Sequence, residues 1–293
     1  MPMTLDQLRT FLQIVRQGSV RAAATSLHVT QPALSARLAS LEASLGTALF
    51  ERRGQGLVLT KAGADLVPLA QQMIDLAGRI TAAVTPDDQL TGLVRIGAAE
   101  TIAQAWLPAL ISAVQARYEA LTIEVSVDIS VNLRDQLLDR TIDLAFLMGP
   151  VSEYSTENID LPTFELGWFV APVLLEDGPP DLATVPVITY ARNTRPFREL
   201  KSALTERHGP SVRLFPSSSL SACFEMVAAG LGVGVLPTRL GASRVVAGHL
   251  ATFDPGWMIS PLRFTASYVG EPENPVVREA AKMAAIIAEE DDQ

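Results

Sequence analysis

Apolar residues recur at helical spacing through Leu5, Leu8, Phe11, Leu12 and Val15, between Thr4 and Gly18. Thr4 with Gln7 three positions on forms a capping box, and Gly18 is placed to end the helix. Ser19 can cap a second helix whose body, around Ala22, Ala23, Ala24 and Leu27, is dominated by small residues. Small side chains let another helix approach closely. After a short turn through His28 and Val29, Thr30 caps a third helix with Pro32 in its first turn. Leu34, Leu38, Leu41 and Leu45 give that helix an apolar face, while Gln31, Ser35, Ala36 and Arg37 lie largely on other faces. Arg52-Arg53-Gly54-Gln55-Gly56 then reads as a basic, turn-rich hairpin tip before the strand-like Leu57-Val58-Leu59.

From Ala62 the apolar positions Leu66, Leu69, Met73, Leu76, Ile80 and Ala83 follow at spacings of 4 and 3 in alternation. That is a heptad seam rather than a general amphipathic face, so the pattern predicts contact between two chains, with packing on the same chain as the alternative. Pro68 removes one helical hydrogen bond at a cost of ~3 kcal/mol, for which a kink is the expected compromise. Thr85-Pro86-Asp87-Asp88 reads as a hinge.

Beyond it strands and helices alternate: LVRIGAA (93–99), a helix from about Thr101, TIEVSVDI (122–129), a helix from about Leu133, and IDLAFLMG (142–149). A second set comprises LGWFVAP (166–172), VPVITYA (185–191), a helix near Arg195 to His208, VRLFP (212–216), and a helix from Ser219 leading into VGVLP. LRFTASYV (262–269) and a helix Val276–Glu289, with Asn274 as N-cap and Pro275 at its first position, close the chain. Such alternation predicts a largely parallel sheet, and two similar α/β units suggest two lobes around a cleft.

The charge changes this picture. The chain of 293 residues has a formal net charge of −9, yet residues 1–61 hold seven Lys/Arg against three acids, a balance of +4. The remainder carries 16 basic and 29 acidic side chains, a balance of −13. A basic head on an acidic body points to a segment that faces nucleic acid. One cysteine, Cys223, excludes an internal disulfide and reads as a small buried thiol in a helix. The N-terminus lacks the basic start of a signal peptide, and Thr101 to Ala116, the longest charge-free apolar stretch, falls short of a membrane span. A soluble protein of a reducing compartment is expected.

A helix of small residues, a tight turn and a polar helix start form the pattern of a helix-turn-helix, whose second helix enters the major groove. Gln31 can read adenine bidentately, Arg37 can meet guanine or phosphate, and Ser35 can reach either. Arg52 and Arg53 suit a wing over the backbone or minor groove. An ordinary three-helix bundle with a charged face is the alternative on spacing alone.

The run GSVRAAATSLHVTQPALSARLASLEASLGTALFERRGQGLVLTKAG resembles the winged helix-turn-helix of LysR-type transcriptional regulators, through TQPALS, Leu41-Glu42 and LFERR…LTKAG. The resemblance implies DNA contact by Gln31, Pro32, Ser35 and Arg37, with Arg52 and Arg53 in the wing. Ala36 stands where many relatives carry a polar or basic residue. IDLAF (142–146) and VAAGLGVGVLP (227–237) resemble recurring segments of the family's effector domain, itself similar to periplasmic solute-binding proteins. The implied fold class is therefore α plus α/β. It comprises a winged helix-turn-helix (1–60), a linker and dimerisation helix (61–86) and a two-lobed effector domain (92–293). Lobe 1 covers about 92–161 plus 267–293, and lobe 2 about 162–266. Double-stranded DNA, a small-molecule effector and a second copy, as homodimer or homotetramer, are the implied partners. RNA polymerase is a further candidate; no cofactor, metal or membrane is expected.

An effector in such a cleft meets strand C-termini and helix starts. Thr101 matches a hydroxyl-bearing effector position of the family. Ser130 and Asn132 follow the second strand, Arg192, Asn193 and Thr194 end VPVITYA, and Ser219 stands with Ser217 and Ser218 before a helix. Each can equally be a helix cap or a surface-loop residue. Glu100 beside Thr101 would oppose an anionic ligand if it faced inward; it points to solvent or to a ligand with a cationic group. Gly230-Leu231-Gly232-Val233-Gly234 follows a helix and precedes a strand, the reverse of a dinucleotide site. His28, His208 and His249 have no partners at metal spacing, and no nucleophile elbow, Walker loop or HExxH is present. Catalysis is therefore not expected. The competing reading is an intracellular small-molecule receptor whose N-terminal helices serve only non-specific DNA contact or oligomerisation.

Overall fold

A computed structural model describes residues 3–27, 29–53, 56–84, 92–176, 178–271 and 274–292. His28 and the proposed hinge at 85–88 lie outside the described residues. The chain divides into two compact units, Met1–Leu90 with Asp139–Thr141, and Thr91–Leu138 with Ile142–Gln293.

In the first unit α1 (Leu5–Gln17), α2 (Val20–Ser26) and α3 (Gln31–Leu45) precede a hairpin of β1 (Phe50–Arg53) and β2 (Gly56–Leu59) and the long helix α4 (Lys61–Val84). The Thr4–Gln7 capping box forms in both directions, and Gly18 ends α1 in the left-handed region. Ser19 and Thr30 each accept a backbone N–H at the start of α2 and α3. Such caps satisfy donors that a helix start leaves orphaned. Phe11, Leu8, Leu41 and Leu49 form one cluster, and Ile14, Ala23, Ala24 and Leu34 a second, so that Ala23 and Ala24 of α2 are buried against α1 and α3. Arg52 and Arg53 lie within β1 rather than in the turn, opposite Leu57 and Gly56.

Helix α4 runs through Pro68 without ending. Its start is fixed tightly: Thr60 Oγ1 accepts Gly63 N–H at 3.0 Å, and a Cβ on Gly63 would come within 2.1 Å of the Leu49 carbonyl oxygen. Ala62, Leu66, Val67 and Ile74 pack around buried Ala70 against the first cluster.

The second unit holds two mixed five-stranded sheets. β3 (Gly92–Ala98), β4 (Leu121–Val127), β5 (Leu144–Leu147), β6 (Thr156–Asp160) and β12 (Thr265–Val269) form one, in the order β4-β3-β5-β12-β6. The other comprises β7 (Leu166–Val170), β8 (Val187–Tyr190), β9 (Leu214–Ser217), β10 (Val233–Pro237) and β11 (Ala251–Phe253), in the order β11-β7-β10-β8-β9. Each has a parallel half, but β12 runs antiparallel to β5 and β6, and β7 antiparallel to β10 and β11. The expectation of a largely parallel sheet fails here, because the chain passes between the sheets twice and returns reversed. The passages, after Asp160 and after Phe253, pair with each other where Phe164 and Leu262 exchange backbone hydrogen bonds of 2.9 and 3.0 Å.

Helices α5 (Glu100–Gln104), α6 (Leu107–Arg117), α7 (Ser130–Leu138) and α11 (Pro275–Asp292) flank the first sheet's strands in sequence. The helix expected from Thr101 is thus two pieces, broken at Ala105-Trp106. The last helix, capped by Asn274, extends three residues further than expected. Helices α8 (Arg195–His208), α9 (Leu220–Ala228) and α10 (Thr238–Val246) belong with the second sheet. Phe169, Ile188, Cys223, Phe224, Val227 and Leu236 make its core. Gly230, at φ +73°, turns the chain from α9 toward β10, the helix-to-strand order expected from the sequence.

Asp143 of IDLAF has a structural task. Its carboxylate accepts the Arg95 backbone N–H at 2.7 Å and the guanidinium at 3.0 and 2.6 Å, and the Arg95 side chain is 6% exposed. Breaking a buried pair by removing one partner costs about 3–5 kcal/mol. Asp143→Ala is therefore expected to lower unfolding free energy by about that amount in a denaturant titration, and an unchanged midpoint would refute the pairing's weight.

Candidate DNA-contacting and effector-binding sites

The start of α3 presents Gln31, Pro32, Ser35 and Arg37 on exposed positions, while Leu34 and Leu41 of the same helix are fully buried. The helix is thereby held by one face and offers the other. Ala36, also exposed, adds no polar group there. The side chains of Arg52 and Arg53 lie outside the described residues; their backbone places them on β1 of the hairpin, opposite Leu57 and Gly56. Glu42 serves the scaffold, since its Oε1 accepts Leu49 N–H at 2.8 Å and ties α3 to the strand that follows.

On α4 the heptad positions separate. Leu66 is half-buried and packs also on its own chain, because the helix's first two turns cover the helix-turn-helix core. Leu69, Met73, Leu76 and Ile80 stay between 43% and 62% exposed and form an apolar stripe on the other side.

In the second unit a cavity of about 230 Å³ opens between the two sheets. From the first lobe it is bounded by the start of α5 at Glu100 and Thr101, by Asp128 and Ser130 after β4, and by Met148 after β5. The second lobe contributes Tyr190, Thr194, Ser217, Ser218, Leu220 and Cys223, and the returning passage contributes Leu262 and Phe264. Among the described residues no Lys, Arg or His lines it.

Of the residues expected there, Thr101, Ser130 and Thr194 line the cavity. Ser130 Oγ accepts Met148 N–H at 2.9 Å, and Thr194 caps α8 while donating to the Ala191 carbonyl at 2.7 Å. Four others do not line it. Asn132 is exposed one turn along α7, donating to Asp128 Oδ1 at 2.8 Å. Arg192 and Asn193 are exposed, the Arg192 guanidinium lying 5.8 Å from the Phe197 ring centroid. Ser219 turns to cap α9, its hydroxyl accepting Ala222 N–H. Asp128 and Tyr190 escaped the sequence reading although both stand at strand C-termini, where the same rule applied. Leu262 and Phe264 gave no local signal, because only the return of the chain brings them to the cleft.

Glu100 reaches across the cleft. Its carboxylate accepts the backbone N–H groups of Leu220 and Ser221, the latter at 3.0 Å, together with Ser221 Oγ at 2.8 Å, Ser219 Oγ at 3.4 Å and Gln104 Nε2 at 3.0 Å. Burial pushes this carboxyl's pKa up, but the hydrogen bonds from Ser221 and Leu220 outweigh it and hold it below the ordinary carboxylate value. Neither expectation for Glu100, solvent or ligand, describes this contact. Its partner is the protein itself.

Cys223 is buried in α9, and its sulfur donates to the Thr189 carbonyl at 3.6 Å. Burial, aided by the Glu100 charge and opposed by a hydrogen bond with Ser217, pushes the thiol up to about 11. Among the described residues no group of His, Cys, Asp or Glu could hold a metal ion, and no helix is long and apolar enough to cross a membrane.

A helix-turn-helix with a wing, followed by a two-lobed α/β receptor fold, defines a ligand-sensing DNA-binding protein. Residues 5–64 match the model of bacterial regulatory helix-turn-helix proteins of the lysR family, and residues 87–284 match the LysR substrate binding domain. The chain belongs to the LysR family of transcriptional regulators, proteins with a helix-turn-helix DNA-binding domain and an effector-binding domain. It is 34% identical over 258 residues to the Escherichia coli K12 HTH-type transcriptional regulator YeiE, covering 86% of each chain. Among solved structures it resembles full-length LysG of Corynebacterium glutamicum with bound effector Arg, at 23% identity and TM-score 0.62 over 97% of this chain and 98% of that one. It also resembles full-length CbnR complexed with its target DNA, at 22% identity and TM-score 0.63 over 97% and 100%. These two likenesses establish the fold.

Because the thiolate is the reactive form, Cys223 is expected to resist a thiol-specific chromogenic reagent at pH 7.5 in the folded protein and to react once unfolded. Rapid titration of the native thiol would contradict the buried assignment.

Proposed function

We propose that the chain is a cytoplasmic regulator, without catalytic activity, that binds an imperfect dyad in double-stranded DNA and modulates transcription by RNA polymerase in response to a small metabolite. The observation that carries this reading is one chain joining an exposed polar α3 face to a receptor unit with a cleft between its two sheets. Gln31, Pro32, Ser35 and Arg37 contact the major groove, and Arg52 and Arg53 contact the backbone or minor groove. Leu69, Met73, Leu76 and Ile80 pair α4 with its copy in a homodimer, the unit from which a homotetramer is built. Two heads on two half-sites explain how a modest +4 per head suffices. The metabolite lies between the lobes near Thr101, Ser130 and Thr194 and biases the placement of the heads. By linkage, DNA and metabolite change each other's affinity by the same factor.

The test is fluorescence anisotropy with the chain's own upstream DNA and a shuffled duplex at two salt concentrations, where specific readout is expected to favour the native duplex by ~10³-fold or more. Gln31→Ala should relax base preference by about 1–3 kcal/mol at one position. Arg52→Ala and Arg53→Ala should weaken both duplexes alike and flatten the salt slope by about 1 for each phosphate left without its arginine. Parent-like binding by all three variants would remove the assigned contacts, and equal weak binding of both duplexes would leave an intracellular receptor.

Leu76→Asp is expected to halve the mass seen in sedimentation equilibrium. An unchanged mass would place the dimer contact elsewhere.

A further inference from the structure

A helix start is a ready anion site, because its first N–H groups lack intrahelical partners and the dipole favours negative charge. Helix α9 begins at the cavity, and each of its leading donors is accounted for. Ser219 N–H goes to Ser217 Oγ at 3.1 Å and Ala222 N–H to Ser219 Oγ at 3.2 Å, while the Leu220 and Ser221 N–H groups go to Glu100. The anion at this start is thus a side chain of the other lobe, tethered at high local concentration.

Three further features bear on what can enter beside it. Asp128 also lines the cavity; its Oδ1 takes Ile129 N–H at 2.7 Å and Asn132, whereas Oδ2 has only a 3.4 Å contact with Gln136. Tyr190 lines the cavity too, but its hydroxyl is buried, away from the open space, and has no hydrogen-bond partner. The remaining walls, including Val127, Met148, Pro196, Leu262 and Phe264, are apolar. An anionic ligand would meet two carboxylates and no cationic side chain among the described lining residues, with the α9 start already filled.

We propose that Glu100 is a built-in anion occupying the α9 start, so that this cavity excludes carboxylates and phosphates and takes a small apolar effector whose polar end is an ammonium group, received by Asp128 beside Tyr190. The proposal rests on the reading of the cavity as the effector site. Specificity then comes as much from repulsion of the wrong charge as from attraction of the right one.

The experiment compares two probes with one carbon skeleton, 3-methylbutylamine and 3-methylbutanoate, by calorimetric titration and melting shift on the full-length protein and on Glu100→Ala. The parent is expected to bind the amine at least tenfold more tightly than the carboxylate. Glu100→Ala empties the α9 start and is expected to gain at least tenfold in carboxylate affinity. If that variant does not fold, Glu100→Gln, which keeps the shape and removes the charge, is expected to lose the amine preference. A parent that prefers the carboxylate, a folded Glu100→Ala with no gain for it, or no response of any form to either probe would overturn the proposal. The DNA titration separates this from failure of the underlying reading. An anion that shifts the parent's DNA affinity overturns the charge assignment alone, whereas a bound amine that leaves DNA affinity unchanged removes the effector reading.

Discussion

The cleft depends on one carboxylate reaching from one lobe to the helix start of the other. Glu100 sits in the first turn of α5, directly after β3, and its partners stand about 120 residues later in the sequence. Two backbone donors and two serine hydroxyls converge on it, and charge-assisted bonds of this kind are roughly twice as strong as neutral ones. The contact ties the second lobe's α9 to the first lobe's α5 and places a carboxylate at the cavity wall. Asp128 and Ser130 line the near side, and Tyr190 and Cys223 the far side.

The motifs that reveal the family divide into exposed positions and supporting ones. Gln31, Ser35 and Arg37 are exposed on α3, but Glu42, Thr60 and Gly63 hold the turn, the cap and the close approach that set the helix and hairpin. In the receptor unit Asp143 neutralises buried Arg95 between two parallel strands. The fold is shared with proteins only 22–23% identical to this one.

Caps and periodicity are local, so the first unit was largely legible: Thr4, Ser19 and Thr30 each start a helix where the residues imply. The receptor unit was legible in its parallel strands and less so elsewhere. β6 reads Thr-Glu-Asn-Ile-Asp, an edge strand with no apolar alternation, and α10 carries Gly241 and two arginines in nine residues. Both owe their form to neighbours distant in sequence. Strand-end reasoning found the right loops for the cavity, and Thr101, Ser130 and Thr194 lie on it. It failed at Asn132, Arg192, Asn193 and Ser219 because direction within a loop depends on caps and packing. On α4 the heptad is visible, but its early position Leu66 also packs on the chain's own core, which spacing alone does not show.

The proposed function couples the interlobe cleft to DNA binding, and this can be tested without knowing the metabolite. DNA affinity of Glu100→Ala and of the parent would be measured by anisotropy on the same upstream duplex at one salt concentration. The account predicts a change of about 5- to 150-fold, the span of typical allosteric coupling. Identical affinities, with the variant's fold verified by circular dichroism, would contradict it.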